Sequence, residues 1–312
     1  MDVVLLFPGQ GSQTPGMAKD LFETSPHARH VFEVVDRTLG TSLSSLAFRG
    51  PADELTATQN AQPALLAHGA AVWAMTKDPL APHVRAAAGH SLGEFTAYYA
   101  AGALNLGDAT TLVRRRGKLM YDSGLKRPGT MAAILGLDET KVEEACRRAS
   151  VNGACVVPAN YNTPEQLVIS GEIAAVERAM EIAKELGAKR AVRLKVSGAF
   201  HSPLMNVARE GLGSALDEAH FAAPAFPVFC NVSGLPVTQV DDARRLLLEQ
   251  LTSPVRWTSL IRGLATAFPN AVFVEMGPGN VLTNLTKRIT PSVKSVTAGT
   301  AAEVDQLLEM VS

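Results

Sequence analysis

Residues 86 to 103, AAAGHSLGEFTAYYAAGA, constrain this chain more than any other stretch. The run of small apolar residues reads as a buried strand, and Leu92 onward reads as a helix with an alanine- and aromatic-rich face. Between them stands Ser91, with Gly89 and Gly93 two residues to either side. That is the spacing of a nucleophile elbow, in which a sharp strand-to-helix turn pushes a serine hydroxyl into the open. Glycines suit such a turn because it leaves no room for Cβ atoms beside it. The free N–H groups of the helix start and its positive end are matched to a developing oxyanion. The alternative is a serine that only caps a helix after a glycine-rich turn.

An elbow needs a sheet around it, and the flanking sequence supplies one. VVLLF at residues 3 to 7 and VRAAAG read as strands. Residues 26 to 39, 62 to 76, 92 to 103 and 107 to 121 read as helices, the second opening with Pro63 near its first turn. This alternation predicts an α/β fold with a parallel sheet covered by helices. From about 128 to 196 the rhythm changes to β-α-β-β-α-β, a ferredoxin-like order, with Asp138 capping one helix and Gly187 closing the other. We therefore expect a large subdomain formed by residues 1–127 and 197–312 and a small subdomain, 128–196, inserted into it. Beyond the insert, PVFCNVSG and AVFVEMG read as strands, and ARRLLLEQLTS and VLTNLTKRI as helices.

Composition narrows the class. A chain of 312 residues with 46% hydrophobic and 19% charged residues has an ample core. The formal net charge of −1 gives no general ground for nucleic-acid or membrane binding. No apolar run reaches spanning length, so a cytoplasmic protein, working as a monomer, is expected. Cys146, Cys155 and Cys230 are too scattered for a metal site and read as reduced core residues. Asn231-Val232-Ser233 and Asn284-Leu285-Thr286 match a glycosylation pattern, taken here as chance.

A second glycine-rich turn, Phe7-Pro8-Gly9-Gln10-Gly11-Ser12-Gln13, follows the first strand. It lacks the third glycine of a dinucleotide loop, and no Walker pattern occurs in the chain. It reads either as a tight turn or as backbone N–H groups at the C-terminal edge of the sheet, where sites in such folds form. Of the histidines, His90 sits inside the elbow, whereas His201 in KVSGAFHSPLM stands at the mouth of a strand and is the candidate base, although a lone histidine is more often structural. Arg116 lies in the middle of the apolar stripe Leu112, Val113, Leu119 and Met120, with Arg114 and Arg115 toward the other side. A guanidinium there needs an anion, either an internal acid or a carboxylate on the substrate, unless it snorkels to water.

Seven segments, FPGQGSQ, QPALLA, GHSLGE, RRRGK, GAFHS, QLTSPVRW and EMGPGNVL, occur in order over nearly the whole chain. Together they resemble the malonyl-CoA:acyl carrier protein transacylases of fatty-acid synthesis and the related acyltransferase domains of polyketide synthases. The resemblance implies an α/β-hydrolase-like large subdomain with the cleft against the small one. It implies Ser91 as the acylated nucleophile, His201 as its base and Arg116 as the clasp of the malonyl carboxylate. The N–H groups of Gln10 and Leu92 would form the oxyanion hole. Gln250 would orient the histidine through its main-chain carbonyl, which fits the lack of a convincing triad acid in the sequence. Asn162 and Phe200 are carried over as substrate-binding; for Phe200 the ground is that a phenylalanine before the histidine accompanies malonyl use and a serine methylmalonyl use, with a core aromatic as the alternative.

The implied substrates are malonyl-CoA and acyl carrier protein, with no metal and no resident cofactor. A free-standing acyltransferase loading polyketide carriers is the alternative, and a serine thioesterase or hydrolase a more distant one. Carrier proteins of this pathway are acidic as a class, so Lys189, Arg190, Arg193, Lys195, Lys287 and Arg288 are candidates for docking, against the alternative of a scattered solvated set.

Overall fold

The computed structural model describes residues 1–311 and contains two sheets. The strands are β1 (Val3–Phe7), β2 (Val84–Gly89), β3 (Thr130–Leu135), β4 (Val156–Thr163), β5 (Gln166–Gly171), β6 (Arg190–Arg193), β7 (Val228–Phe229), β8 (Pro236–Val237), β9 (Val272–Glu275) and β10 (Ser295–Thr297). The larger sheet has the order β10-β9-β1-β2-β7-β8 and is parallel except for β7 against β8. The smaller has the order β4-β5-β3-β6 and is antiparallel, the ferredoxin-like arrangement that its element order predicts.

Both faces of the large sheet are covered, which is why VVLLF has no polar alternation. Val3, Leu5 and Phe7 join one apolar cluster together with Ala64, Leu65 and Ala67 of the helix Thr58–Leu80. Val4, Leu6, Ala86 and Ala88 join another with Trp257, Leu260 and Ile261 of the helix Trp257–Ala267. The small sheet packs one face on its own two helices, Glu139–Ala149 and Ile173–Glu185, through Ile134, Val142, Leu167 and Val176. Its other face turns Met131, Ala159 and Val168 into the main core.

The small sheet is stitched by backbone to the segment just before the helix Trp257–Ala267. Tyr161 N–H donates to the Val255 carbonyl (2.9 Å), and Val255 N–H to the Ala159 carbonyl (2.8 Å). Thr258 Oγ1 adds a bond to the Tyr161 carbonyl (2.9 Å).

Local expectations meet the structure closely at Pro26–Leu39 and Val281–Ile289, which form helices, and at Asp138, whose side chain accepts from Lys141 N–H. Two differ. The helix expected from residue 62 begins at Thr58, so Pro63 lies beyond its first turn. Proline there leaves the Gln59 carbonyl without its usual i+4 donor, and Arg114 Nη1 fills the gap at 2.7 Å. PVFCNVSG forms a strand only at Val228–Phe229, because Gly234 N–H closes a turn on the Cys230 carbonyl and sends the chain back into β8.

Candidate active site

The site begins with two neighbouring strand ends. β1 and β2 are paired so that Phe7 lies beside Gly89, and His90 N–H donates to the Phe7 carbonyl (2.9 Å). The turns after the two strands therefore emerge side by side. A Cβ on Gly89 would collide with the Gly93 backbone, and one on Gly93 with the Phe7 carbonyl, so the elbow closes only with glycine at both positions. Ser91 itself has φ 52°, the left-handed region a serine rarely adopts. Asn231 holds it there: its Oδ1 accepts from Ser91 N–H (2.7 Å) and its Nδ2 donates to the Gly89 carbonyl (2.7 Å).

His201 arrives from the end of the insert. Ser202 Oγ donates to the Ala199 carbonyl (2.6 Å) and caps the short helix that starts at Pro203, which tightens the turn and leaves His201 at φ 56°. Its Nε2 lies 2.8 Å from Ser91 Oγ. Its Nδ1 faces two main-chain carbonyls, Gln250 at 2.9 Å and Ser253 at 3.2 Å, so Nδ1 carries the proton and Nε2 is free to accept one. Burial, and secondarily the charge of Arg116, push the His201 imidazole down to about 3, so it is neutral.

Arg116 is 1% exposed, as the apolar stripe predicts. Its Nη1 donates to Gln62 Oε1 (2.8 Å), and its Nη2 to Ser91 Oγ (3.0 Å) and Gln250 Oε1 (2.9 Å). The guanidinium carbon stands 5.5 Å from the Phe95 ring centroid, a cation–π contact. No carboxylate bonds to it directly among the described residues. An internal acid is nevertheless close: Glu94, fully buried, accepts at Oε2 from Gln250 Nε2 (2.7 Å) and Asn231 N–H (3.0 Å). Burial lowers Arg116 to about 10, still protonated at neutral pH, with Glu94 opposing the shift.

These groups surround a cavity of about 120 Å³, closed on one side by Met131 of β3 and by Leu194 and Val196 beyond β6. Gln10, Ser91, Leu92, Arg116, Phe200 and His201 all line it. Neither Gln10 N–H nor Leu92 N–H has an acceptor among the described residues. Gln250 stands behind the wall, as does Asn162, whose Oδ1 lies 2.9 Å from His90 Nε2; Asn160, two residues earlier on the same strand, is the one that lines the cavity.

Sequence reasoning passed over Gln62, Glu94, Asn160, Asn231 and Ser253. Gln62 and Glu94 lie inside the QPALLA and GHSLGE segments, so a polar residue in an otherwise apolar run was the available signal. Asn231 was visible only as a glycosylation pattern, and its complete burial removes that reading.

Such a geometry can hold an acyl group on a serine inside a space that admits the acyl chain but not its carrier, with amides ready for an oxyanion; this is the chemistry of serine-dependent acyl-transfer enzymes on an α/β sheet. Residues 4–305 match the acyl transferase domain family, and the chain belongs to that family. It is 46% identical over 295 residues to the malonyl CoA-acyl carrier protein transacylase of Bacillus subtilis, covering 94% of this chain and 92% of that protein. Its fold is similar to the crystal structure of acyl-carrier-protein-S-malonyltransferase from Bartonella henselae, with a TM-score of 0.95, 43% identity and coverage of 100% and 99% of the two chains. A type II PKS acyl-carrier protein in complex with its malonyl-transacylase gives a TM-score of 0.94 at 38% identity, covering 99% of this chain and 100% of that one.

Proposed function

We propose that this chain transfers the malonyl group of malonyl-CoA to the phosphopantetheine thiol of acyl carrier protein through a malonyl ester on Ser91. The observation that carries this reading is the buried Arg116 guanidinium 3.0 Å from Ser91 Oγ, with no carboxylate bonded directly to it. A cation in that place selects an acyl group that ends in an anion.

Malonyl-CoA enters with its free carboxylate on Arg116 and its thioester carbonyl toward the N–H groups of Gln10 and Leu92. Ser91 Oγ attacks the carbonyl carbon as its proton passes to His201 Nε2, and the imidazolium is held through Nδ1 by the Gln250 and Ser253 carbonyls. The tetrahedral oxyanion rests on the two amides. The C–S bond breaks, the proton moves from Nε2 to the CoA sulfur, and the ester remains. The carrier thiol then enters and reverses these steps, giving its proton to His201 and leaving Ser91 with its own restored.

CoA and phosphopantetheine are substrates here, so the reading needs no resident cofactor or metal. We take the working unit to be a monomer. No helix among the described residues is long and apolar enough to cross a membrane. A cytoplasmic location is part of the proposal and rests on the substrates of the proposed reaction. Loading of a polyketide carrier is retained as a second reading because of the solved complex with a type II PKS carrier.

The test is intact-protein mass after mixing with malonyl-CoA, followed by addition of holo acyl carrier protein. One malonyl adduct on the wild type, none on Ser91→Ala, and passage of the adduct to the carrier are expected. Adduct formation on the Ser91→Ala protein, or release of free malonate at the same rate with and without carrier, would sink the proposal.

A further inference from the structure

Glu94 is buried completely, next to the reacting groups, and takes no step in the mechanism above. Its environment is one-sided. Oε2 accepts two hydrogen bonds, from Asn231 N–H and Gln250 Nε2, while Oε1 is buried with no partner. Gln250 in turn has its amide fixed between opposites: Nε2 donates to Glu94 and to the Ser91 carbonyl (3.0 Å), and Oε1 accepts from Arg116 Nη2. Reversing that amide would set an oxygen against a carboxylate and an NH₂ against a guanidinium. A carboxylate only accepts, so Glu94, together with the Ser91 carbonyl, fixes which end of Gln250 faces Arg116.

We propose that Glu94 is a positioning residue that holds Arg116 at Ser91 through the Gln250 amide, and that it takes up a proton at Oε1 when an acyl carboxylate arrives at Arg116. The proposal rests on the malonyl reading of the site.

The second half follows from charge. With Glu94 ionised, the guanidinium and the carboxylate are buried together and sum to zero. A substrate carboxylate on Arg116 would leave one uncompensated negative charge beside the buried Arg116 and Glu94 groups, and burying such a charge is costly. A proton on Oε1 restores neutrality and disturbs neither hydrogen bond at Oε2. The other groups facing Glu94 offer no alternative. Tyr98, one turn along the same helix, and Cys230, beyond β7, are both pushed up by burial and by Glu94 itself, so they are already neutral. Gln250, after the helix Val240–Glu249, is uncharged. Arg116, from the helix Leu106–Lys126, is the one charged group acting on Glu94. Burial has already pushed Glu94 up to about 7, with its two hydrogen bonds and Arg116 pulling back. A carboxylate that neutralises Arg116 removes part of that pull.

The experiment loads full-length enzyme with malonyl-CoA or acetyl-CoA at about pH 8 in weak buffer. An indicator dye reads proton exchange, and intact mass gives the amount of acyl-enzyme formed. Protons released by the freed CoA thiol are common to both substrates and cancel. Wild type should take up as much as about one proton more per malonyl-enzyme than per acetyl-enzyme. Glu94→Gln presents a carbonyl oxygen to the same two donors, so it should still load malonyl while the excess uptake disappears. Glu94→Ala removes the shorter of the two bonds from Gln250 Nε2, loosens that amide and should raise KM for malonyl-CoA about 10–100-fold, with acetyl-CoA affected less. Equal proton stoichiometry for the two substrates in the wild type overturns the proton step, whatever the variants do. Equal losses for both substrates in Glu94→Ala, without rescue in Glu94→Gln, overturn the positioning role. Failure of the wild type to form any malonyl adduct counts against the malonyl reading, a different result from either.

Discussion

Ser91 and His201 meet at 2.8 Å with both backbones in the left-handed region, φ 52° and 56°. Neither residue type favours that conformation, and each such residue is strained by roughly 1–2 kcal/mol. The strain gives a comparison in which chemistry is held constant. Ser91→Ala and Ser91→Gly both lack the hydroxyl, and both should be inactive. Glycine should be the more stable of the two by about 0.5–1 kcal/mol, because relief at φ 52° outweighs the entropy it adds to the unfolded chain. Urea midpoints of the two variants check this, and an alanine variant at least as stable as the glycine one would mean the elbow is relaxed.

His201 should act without its usual titration. Its folded value of about 3 lies below the ordinary 6.5, so lowering the pH through 6.5 does not protonate it, and the base form persists to about pH 4. In Glu94→Gln, where the neighbouring carboxyl no longer titrates, the acylation rate should be flat from pH 8 to 5. A limb centred near 6.5 in single-turnover measurements would show that the imidazole is solvated in the reacting enzyme. His201→Ala should slow acylation by about 10²–10⁴.

Arg116→Ala should reduce malonyl transfer by about 10²–10³, the equivalent of roughly 3–4 kcal/mol, as for a buried pair that loses one partner. Acetyl turnover should be spared, since that acyl group has no carboxylate. Arg116→Lys keeps the charge but cannot reach Gln62, Ser91 and Gln250 at once, and should fall between. Parallel losses for acetyl-CoA and malonyl-CoA would mean that Arg116 serves only the fold.

Phe200 lines the acyl cavity with Met120 and is 5% exposed, so its ring is a wall rather than a distant core residue. Phe200→Ser should raise the methylmalonyl-to-malonyl ratio by a factor corresponding to about 1–3 kcal/mol, the usual worth of one methyl in a pocket. Competition between the two thioesters measures it, and an unchanged ratio would place selection elsewhere.

Carrier docking should depend on salt. Of the six candidate basic residues, Lys189, Lys287 and Arg288 line one open cleft of about 540 Å³ beside the β4–β5 turn. Arg193 is instead occupied by Glu177 and Thr130. Charge reversal at Lys287 and Arg288 should slow transfer to carrier by about tenfold at low salt and change acylation by malonyl-CoA less. Equal salt dependence of the two half-reactions would remove the cleft from the docking surface.

The elbow, the order of the small sheet and the burial of Arg116 could be read from the sequence because each is a local pattern: two glycines around a serine, a change of hydrophobic period, a charge in an apolar stripe. Gln62, Glu94 and Asn231 could not be read that way. They matter only because the helix Thr58–Leu80, the turn after β7, the segment after Glu249 and the helix after Ser91 converge on Arg116 and Ser91, and no periodicity reports convergence. β8 escaped for the opposite reason: its two-residue pairing with β7 is too short to leave a pattern. Pro63 misplaced a helix start because its neighbour's free carbonyl is satisfied by Arg114, a partner remote in sequence.

The stretch 250–255 serves two masters. Its first carbonyls hold the His201 ring at Nδ1, and its last residue, Val255, is tied in both directions to β4 of the small sheet. Mouth and base are thus geared together. A rocking of the small sheet wide enough to admit a bulky thioester would drag the Ser253 carbonyl and detune the imidazole.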